Sequence, residues 1–225
     1  MCHKSYDVFV NPGTYTLEVQ AEGYVKQSQQ FTVGSGDVLQ LDFKLEPEFD
    51  LEAYAKILRE KAEQSNPMMT SFALGYMDKD NIPELIVGSM GGYTNYAEIY
   101  TMNQEGEVFQ LNVYVPYGSF MFSPGNGLIR ENVLNQGVSV YTFEEFVDRE
   151  INTLSAFRTN AEAAGEANAE YYVDGNAVSK EYYDEQLAEW ENKYYFVTFY
   201  YDYTYALTED NINLMLEDST KVMLE

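Results

Sequence analysis

Phe72-Ala-Leu-Gly-Tyr-Met-Asp-Lys-Asp-Asn-Ile-Pro-Glu-Leu-Ile-Val-Gly88 decides the fold of the larger part of this chain. Two short apolar runs, one at 71–74 and one at 84–88, are too brief for helices and read as strands around a polar loop. The loop carries Asp78, Asp80 and Glu84. Carboxylates two residues apart, followed by one four further on, can wrap oxygen atoms around a hard cation such as calcium. The same loop can instead be held by Asp78 and Asp80 accepting nearby backbone N–H groups. Both readings stand at this point.

Working outward, strand and helix patterns alternate. Asp50 reads as the N-cap of a helix whose apolar face holds Leu51, Tyr54, Ala55, Leu58 and Ala62, closed by Asn66-Pro67. Tyr96–Met102 and Val108–Val115 read as a hairpin, and Phe120–Phe122 and Gly127–Arg130 as further strands. Thr142-Phe-Glu-Glu145 has the form of a capping box and predicts a helix running through Phe146, Ile151 and Leu154. Residues 159–170 either continue that helix or form a loop. Tyr171–Gly175 predicts a strand and turn, Ser179 caps a helix containing Tyr183, Leu187 and Trp190, and Thr208 caps a last helix through Ile212 and Leu216. Between these two helices, Tyr194–Leu207 reads as one long aromatic strand.

Towards the N-terminus the pattern is all strand. Asn11-Pro-Gly13 and Glu22-Gly23 are turns, and Thr14–Gln20, Gln30–Val33 and Val38–Leu45 are strands, with Pro47 ending the last. The change from period 2 to period 3.6 places a domain boundary there, giving 1–47 and 48–225. The expected fold class is α+β: a small β-module, then a larger mixed domain built on antiparallel sheet.

Three stretches resemble known families. Pro12-Gly-Thr-Tyr-Thr-Leu17, Ala21-Glu-Gly-Tyr24 and Leu41-Asp-Phe-Lys-Leu45 resemble the second half of the carboxypeptidase-regulatory-like β-sandwich, an Ig-like, transthyretin-type module. Residues 1–10 leave no room for the first strands of such a sandwich. Its apolar face must therefore be covered by the rest of the chain, another chain or further residues. Residues 50–217 resemble a domain of surface lipoproteins of gut Firmicutes through Tyr54–Leu58, Phe72–Leu74, Asp80-Asn-Ile-Pro-Glu-Leu-Ile86, Ile99-Tyr100, Tyr172–Gly175, Val178–Tyr183 and Leu207–Ile212. That resemblance implies an extracellular or cell-surface location rather than an activity. The acidic loop is similar to the calcium loop of FG-GAP and dockerin-type repeats, which implies Asp78, Asp80, Glu84 and the carbonyl of Ile82 as metal ligands. It departs from that pattern at Tyr76, where the first Asp would stand, and at Asn81, where the glycine of the sharp turn would stand.

Composition narrows the function classes. The 225 residues carry 13 Lys+Arg against 37 Asp+Glu, a formal charge of −24. Such a chain repels nucleic-acid phosphates and anionic membranes. Its natural partners are cations, basic proteins and neutral molecules such as sugars, unless the charge serves only solubility. No apolar segment is long enough to span a membrane, and no signal peptide is evident. Cys2 and His3 are the only residues of their types, so no intramolecular disulfide can form, and nucleophilic triads and His-based metal hydrolysis lack residues. A carboxylate-only glycosidase remains formally open. The expected role is a non-catalytic surface or secreted module that binds a carbohydrate or a surface protein; the alternatives are a spacer domain or, last, that hydrolase. The compositional anomaly is tyrosine, at 21 residues. Tyr200, Tyr201, Tyr203 and Tyr205 are the candidate ligand residues, since tyrosine pairs an apolar ring with a polar tip. Core packing is the competing account of the same rings.

Overall fold

The computed structural model describes residues 8–20, 25–43, 49–64, 69–80, 82–89, 96–103, 105–114, 118–147, 150–199 and 204–224. The chain divides into two compact units, Met1–Asp50 and Leu51–Glu225. Its architecture is mixed α+β with mostly antiparallel sheet.

Among its described residues the first unit holds one hairpin, β1 (Gly13–Val19) paired antiparallel with β2 (Gln27–Val33). The Tyr15 and Phe31 rings sit opposite each other, 5.9 Å apart, and Thr14 and Thr32 share a hydrogen bond of 3.0 Å. Such cross-strand pairs stabilise a hairpin by a few tenths of a kcal/mol to about 1 kcal/mol each, which leaves two strands marginal on their own. The third expected strand, Val38–Leu45, is not seen among the described residues: 38–43 are irregular, with Val38 almost wholly exposed, and 44–45 lie outside them. An alternating pattern needs a neighbouring strand to accept its hydrogen bonds, and none of the described residues supplies one.

The second unit has four layers. Helix α1 (Glu52–Glu63) lies over a five-stranded sheet formed by β3 (Ser71–Gly75), β4 (Glu84–Ser89), β5 (Tyr96–Met102), β6 (Val108–Tyr114) and, beyond β3 at the edge, β14 (Tyr205–Ala206). A second sheet packs beneath it. That sheet runs β12-β11-β10-β9-β8-β7-β13, from β7 (Gly118–Ser123), β8 (Leu128–Asn135), β9 (Val138–Val147), β10 (Glu150–Thr159), β11 (Tyr171–Val173), β12 (Asn176–Val178) and β13 (Val197–Thr198). A short helix, α2 (Ala161–Ala164), follows β10. Helix α3 (Lys180–Lys193) covers the outer face of the second sheet, and α4 (Glu209–Glu217) sits beside α1.

Period-2 alternation explains the layering. Inward-facing Ala73, Ile86, Ala97 and Ile99 of the first sheet meet Phe120, Phe122, Ile129 and Phe146 of the second, forming the core between the sheets. Phe143 and Phe157 point the other way. They pack under α3, where the Trp190 indole stacks on Phe143 with centroids 4.8 Å apart. Side-chain caps start α3 and α4 as expected, with Ser179 Oγ accepting from the Tyr182 N–H and Thr208 Oγ1 from the Asn211 N–H.

Three local expectations are corrected. Asp50 does not cap α1; the N-cap position is Leu51, with no side-chain cap bond. Thr142–Glu145 opens no helix, because Thr142, Glu144 and Phe146 lie on one face of β9 and pair into a hairpin with β10. Glu144 is therefore a sheet residue, half-buried and accepting from the Tyr114 hydroxyl at 2.8 Å. The long aromatic strand is also replaced. Of Tyr194–Leu207, Val197–Thr198 pairs with β7 in one sheet and Tyr205–Ala206 with β3 in the other.

Close strand approach explains one glycine. A Cβ on Gly88 of β4 would lie 1.9 Å from the Tyr96 carbonyl oxygen of β5, which the backbone cannot move aside. Gly88→Ala is expected to lower the stability of the second unit by about 1–3 kcal/mol, seen as a lower denaturant midpoint at unchanged slope.

Candidate functional sites: an acidic loop and an aromatic cleft

The loop between β3 and β4 gathers the three acids named from the sequence. One carboxylate oxygen from each of Asp78, Asp80 and Glu84 lies within 4.8 Å of the others. Oxygens on opposite sides of one calcium ion, each at 2.3–2.6 Å, stand about 5 Å apart, so this spacing fits a single ion. The cluster is shaped by short local bonds. Asp78 Oδ1 accepts from the Asp80 N–H at 3.0 Å, and Asp80 Oδ1 from the Ile82 N–H at 2.8 Å. The capping account of the loop therefore describes its geometry, and it leaves carboxylate lone pairs for other partners. Ile82 itself is buried, and Asn81 lies outside the described residues. From the second sheet, the Gly125 and Gly127 N–H groups donate to the carbonyls of Tyr76 and Met77 at 2.8 and 2.7 Å, clamping the start of the loop.

Glu84 is the unusual member. Its residue exposure is 0%, at the end of the core between the sheets. Oε2 accepts from the Met77 N–H at 2.8 Å and Oε1 from the Thr101 hydroxyl at 3.2 Å. Burial, reinforced by the charges of Asp78 and Asp80, holds its carboxyl well above the usual carboxylate range. The Tyr54 hydroxyl of α1, which donates to the Pro83 carbonyl at 3.0 Å, is also pushed well up, first by burial and then by the Glu84 charge.

A second polar cluster lies under α1. Glu98 of β5 accepts from Lys61 Nζ at 2.6 Å, from the Tyr96 hydroxyl at 2.7 Å and from the Tyr100 hydroxyl. Burial works to raise the Glu98 carboxyl, but these donors outweigh it and hold it below the usual range. Burial and the bond to Glu98 push the Tyr96 hydroxyl up to about 12. Every group here is satisfied within the protein, which marks a structural tie.

The tyrosine-rich segment contributes to a cleft. Its described lining comes from residues 195–198, 204–205, 220–221 and 223–224. Leu224 N–H donates to the Leu74 carbonyl at 2.7 Å, anchoring that tail against β3. The cleft has a volume of about 770 Å³, within the roughly 300–1,000 Å³ usual for small-ligand sites. Tyr195, Phe196, Tyr205, Met223 and Leu224 supply apolar walls, and Thr198, Thr204, Thr220 and Lys221 supply polar groups. Tyr195 is 72% exposed, so its ring stands open to a ligand. Of the four tyrosines proposed from the sequence, Tyr205 lines this cleft, whereas Tyr200, Tyr201 and Tyr203 lie outside the described residues. Sequence reading missed Tyr195 and Lys221 as site residues. Tyrosine density signalled the first, and no local signal marks the second.

The remaining acid pair is Glu131 of β8 and Glu144 of β9. Burial raises both carboxyls, with the Glu144 charge adding to Glu131. Neither lines the cleft, and no acid does so among the described residues.

Residues 6–48 match the PEGA domain. PEGA domains are β-rich, non-enzymatic modules of secreted or surface proteins. The expectation of a small β-rich surface module thus holds at that level, with PEGA as the matching family. No curated protein and no solved structure matches the chain. No helix among the described residues is long and apolar enough to cross a membrane.

Proposed function

We propose that this chain is a non-catalytic module of a cell-surface or secreted protein whose larger unit binds a carbohydrate in the cleft beside Tyr195 and Tyr205. The observation that carries the reading is the cleft's chemistry: an open tyrosine ring beside three threonines and a lysine. A sugar ring presents an apolar C–H face and a rim of hydroxyls, which such walls complement by stacking and hydrogen bonding. The PEGA match over residues 6–48 supports placement outside the cell. A carboxylate-based glycoside hydrolase uses two carboxylates flanking the scissile bond, and the described walls of the cleft offer none.

Titration calorimetry against plant and host oligosaccharides tests the reading. Wild-type protein is expected to bind a subset, and Tyr195→Ala to weaken that binding by about tenfold, the loss of one stacked ring. Tyr195 is exposed, so folding is expected to be unchanged by circular dichroism. Heat from no saccharide, or equal affinity in the variant, overturns the proposal.

The acidic loop is proposed as a calcium site with a structural role. The ion would be held by Asp78, Asp80, Glu84 and the Ile82 carbonyl, and it would supply positive charge beside a carboxylate that is otherwise expensive to keep ionised in the core. Tyr76 removes one acid from the repeat pattern, which places affinity at the weak end, roughly 10⁻⁴–10⁻³ M.

A further inference from the structure

Resting on the carbohydrate reading of the cleft, we infer that its ligand is an acidic saccharide whose carboxylate meets Lys221. Acids outnumber basic residues 37 to 13 in this chain, yet the one charged side chain among the described cleft residues is a lysine. The surrounding protein field opposes an anion, so a cation at this point has a local purpose.

The backbone of Lys221 is anchored on both sides, while its side chain is 57% exposed. It sits in a 3-10 turn, Ser219–Val222, between anchored residues: Val222 and Leu224 are buried, and Met223 bridges to Leu74 on β3. Among the described residues its ion-pair partner is Asp218, with Oδ2 at 4.0 Å from Nζ, the outer limit of an ion pair. Asp218 Oδ1 already accepts from the Thr220 hydroxyl at 2.6 Å. An ammonium has three donors, and one loose contact leaves donors for a ligand. A uronic acid stacked on Tyr195 presents a ring face and a carboxylate on the same molecule, matching the two kinds of wall. A neutral sugar would leave the lysine with only its weak partner.

The test compares galacturonate and glucuronate oligosaccharides with neutral gluco- and xylo-oligosaccharides of equal length, by calorimetry at low and high salt. Wild-type protein is expected to prefer the uronates about tenfold, with the preference shrinking as salt rises. Lys221→Gln is expected to bind both classes equally, and Lys221→Arg to keep the preference. Equal wild-type affinity for both classes overturns the inference and leaves the carbohydrate reading intact. A uronate preference that survives Lys221→Gln overturns it too, because the charge would then come from elsewhere. Failure of every saccharide to bind removes the underlying reading, and the inference with it.

Discussion

Glu84→Gln is expected to stabilise the calcium-free protein at neutral and mildly alkaline pH and to abolish its response to calcium. Glu84 is fully buried, and its carboxyl is raised by burial and by Asp78 and Asp80. A raised carboxyl means that the folded state holds its proton more tightly than the unfolded chain. Its contribution to stability therefore falls as pH rises from the ordinary carboxylate range through the folded value, then levels off. Glutamine is neutral, its carbonyl can still accept from the Met77 N–H, and its amide can donate to Thr101. The variant should lack that part of the pH-dependent decline. With about 10 mM calcium and a site of 10⁻⁴–10⁻³ M, wild-type protein should gain about 1.4–2.7 kcal/mol. Scanning calorimetry of both proteins at several pH values, with calcium and with chelator, reads all of this. If calcium raises the wild-type Tm not at all, or raises the variant's equally, the loop holds no ion.

Glu98→Ala is expected to cost more. Removing this carboxylate strips the acceptor from Lys61 Nζ, whose side chain is 18% exposed, and from two tyrosine hydroxyls. Breaking a buried ion pair by deleting one partner typically costs about 3–5 kcal/mol, because the other charge is left uncompensated. The double change Lys61→Met with Glu98→Leu should recover most of that loss, since it removes both charges together. The pH dependence runs opposite to that of Glu84. The Glu98 carboxyl is lowered, so its contribution is present above the ordinary carboxylate range and lost as pH falls through the folded value. Chemical denaturation of wild type, Glu98→Ala and the double variant measures both the loss and its recovery. A single variant within about 0.5 kcal/mol of wild type would mean that the cluster is solvated rather than buried.

Much of the second unit is legible one element at a time. Phe72–Leu74 and Leu85–Val87 are apolar runs with turn chemistry between them, and the Ser179 and Thr208 caps sit three residues before the N–H groups they satisfy. These are interactions between near neighbours, so a local window contains them. Thr142–Glu145 misleads for the same reason. Four residues suffice to spell a capping box, but the alternation of Thr142, Glu144 and Phe146 matters only beside β8 and β10. Long-range pairing overrode the local signal.

The amino-acid sequence by itself determined that the chain is acidic, that it carries one histidine and one cysteine, that strand pattern gives way to helix near Pro47, and that three acids share one loop. The tertiary structure decided how deep those acids lie, because burial depends on what the folded chain packs around each of them. It also decided that Tyr194–Leu207 divides between two sheet edges and that Lys221, distant in sequence from Tyr195 and Tyr205, shares their cleft. Propensity and spacing act over a few residues, whereas a cavity is made by surfaces that meet only after the sheets have stacked.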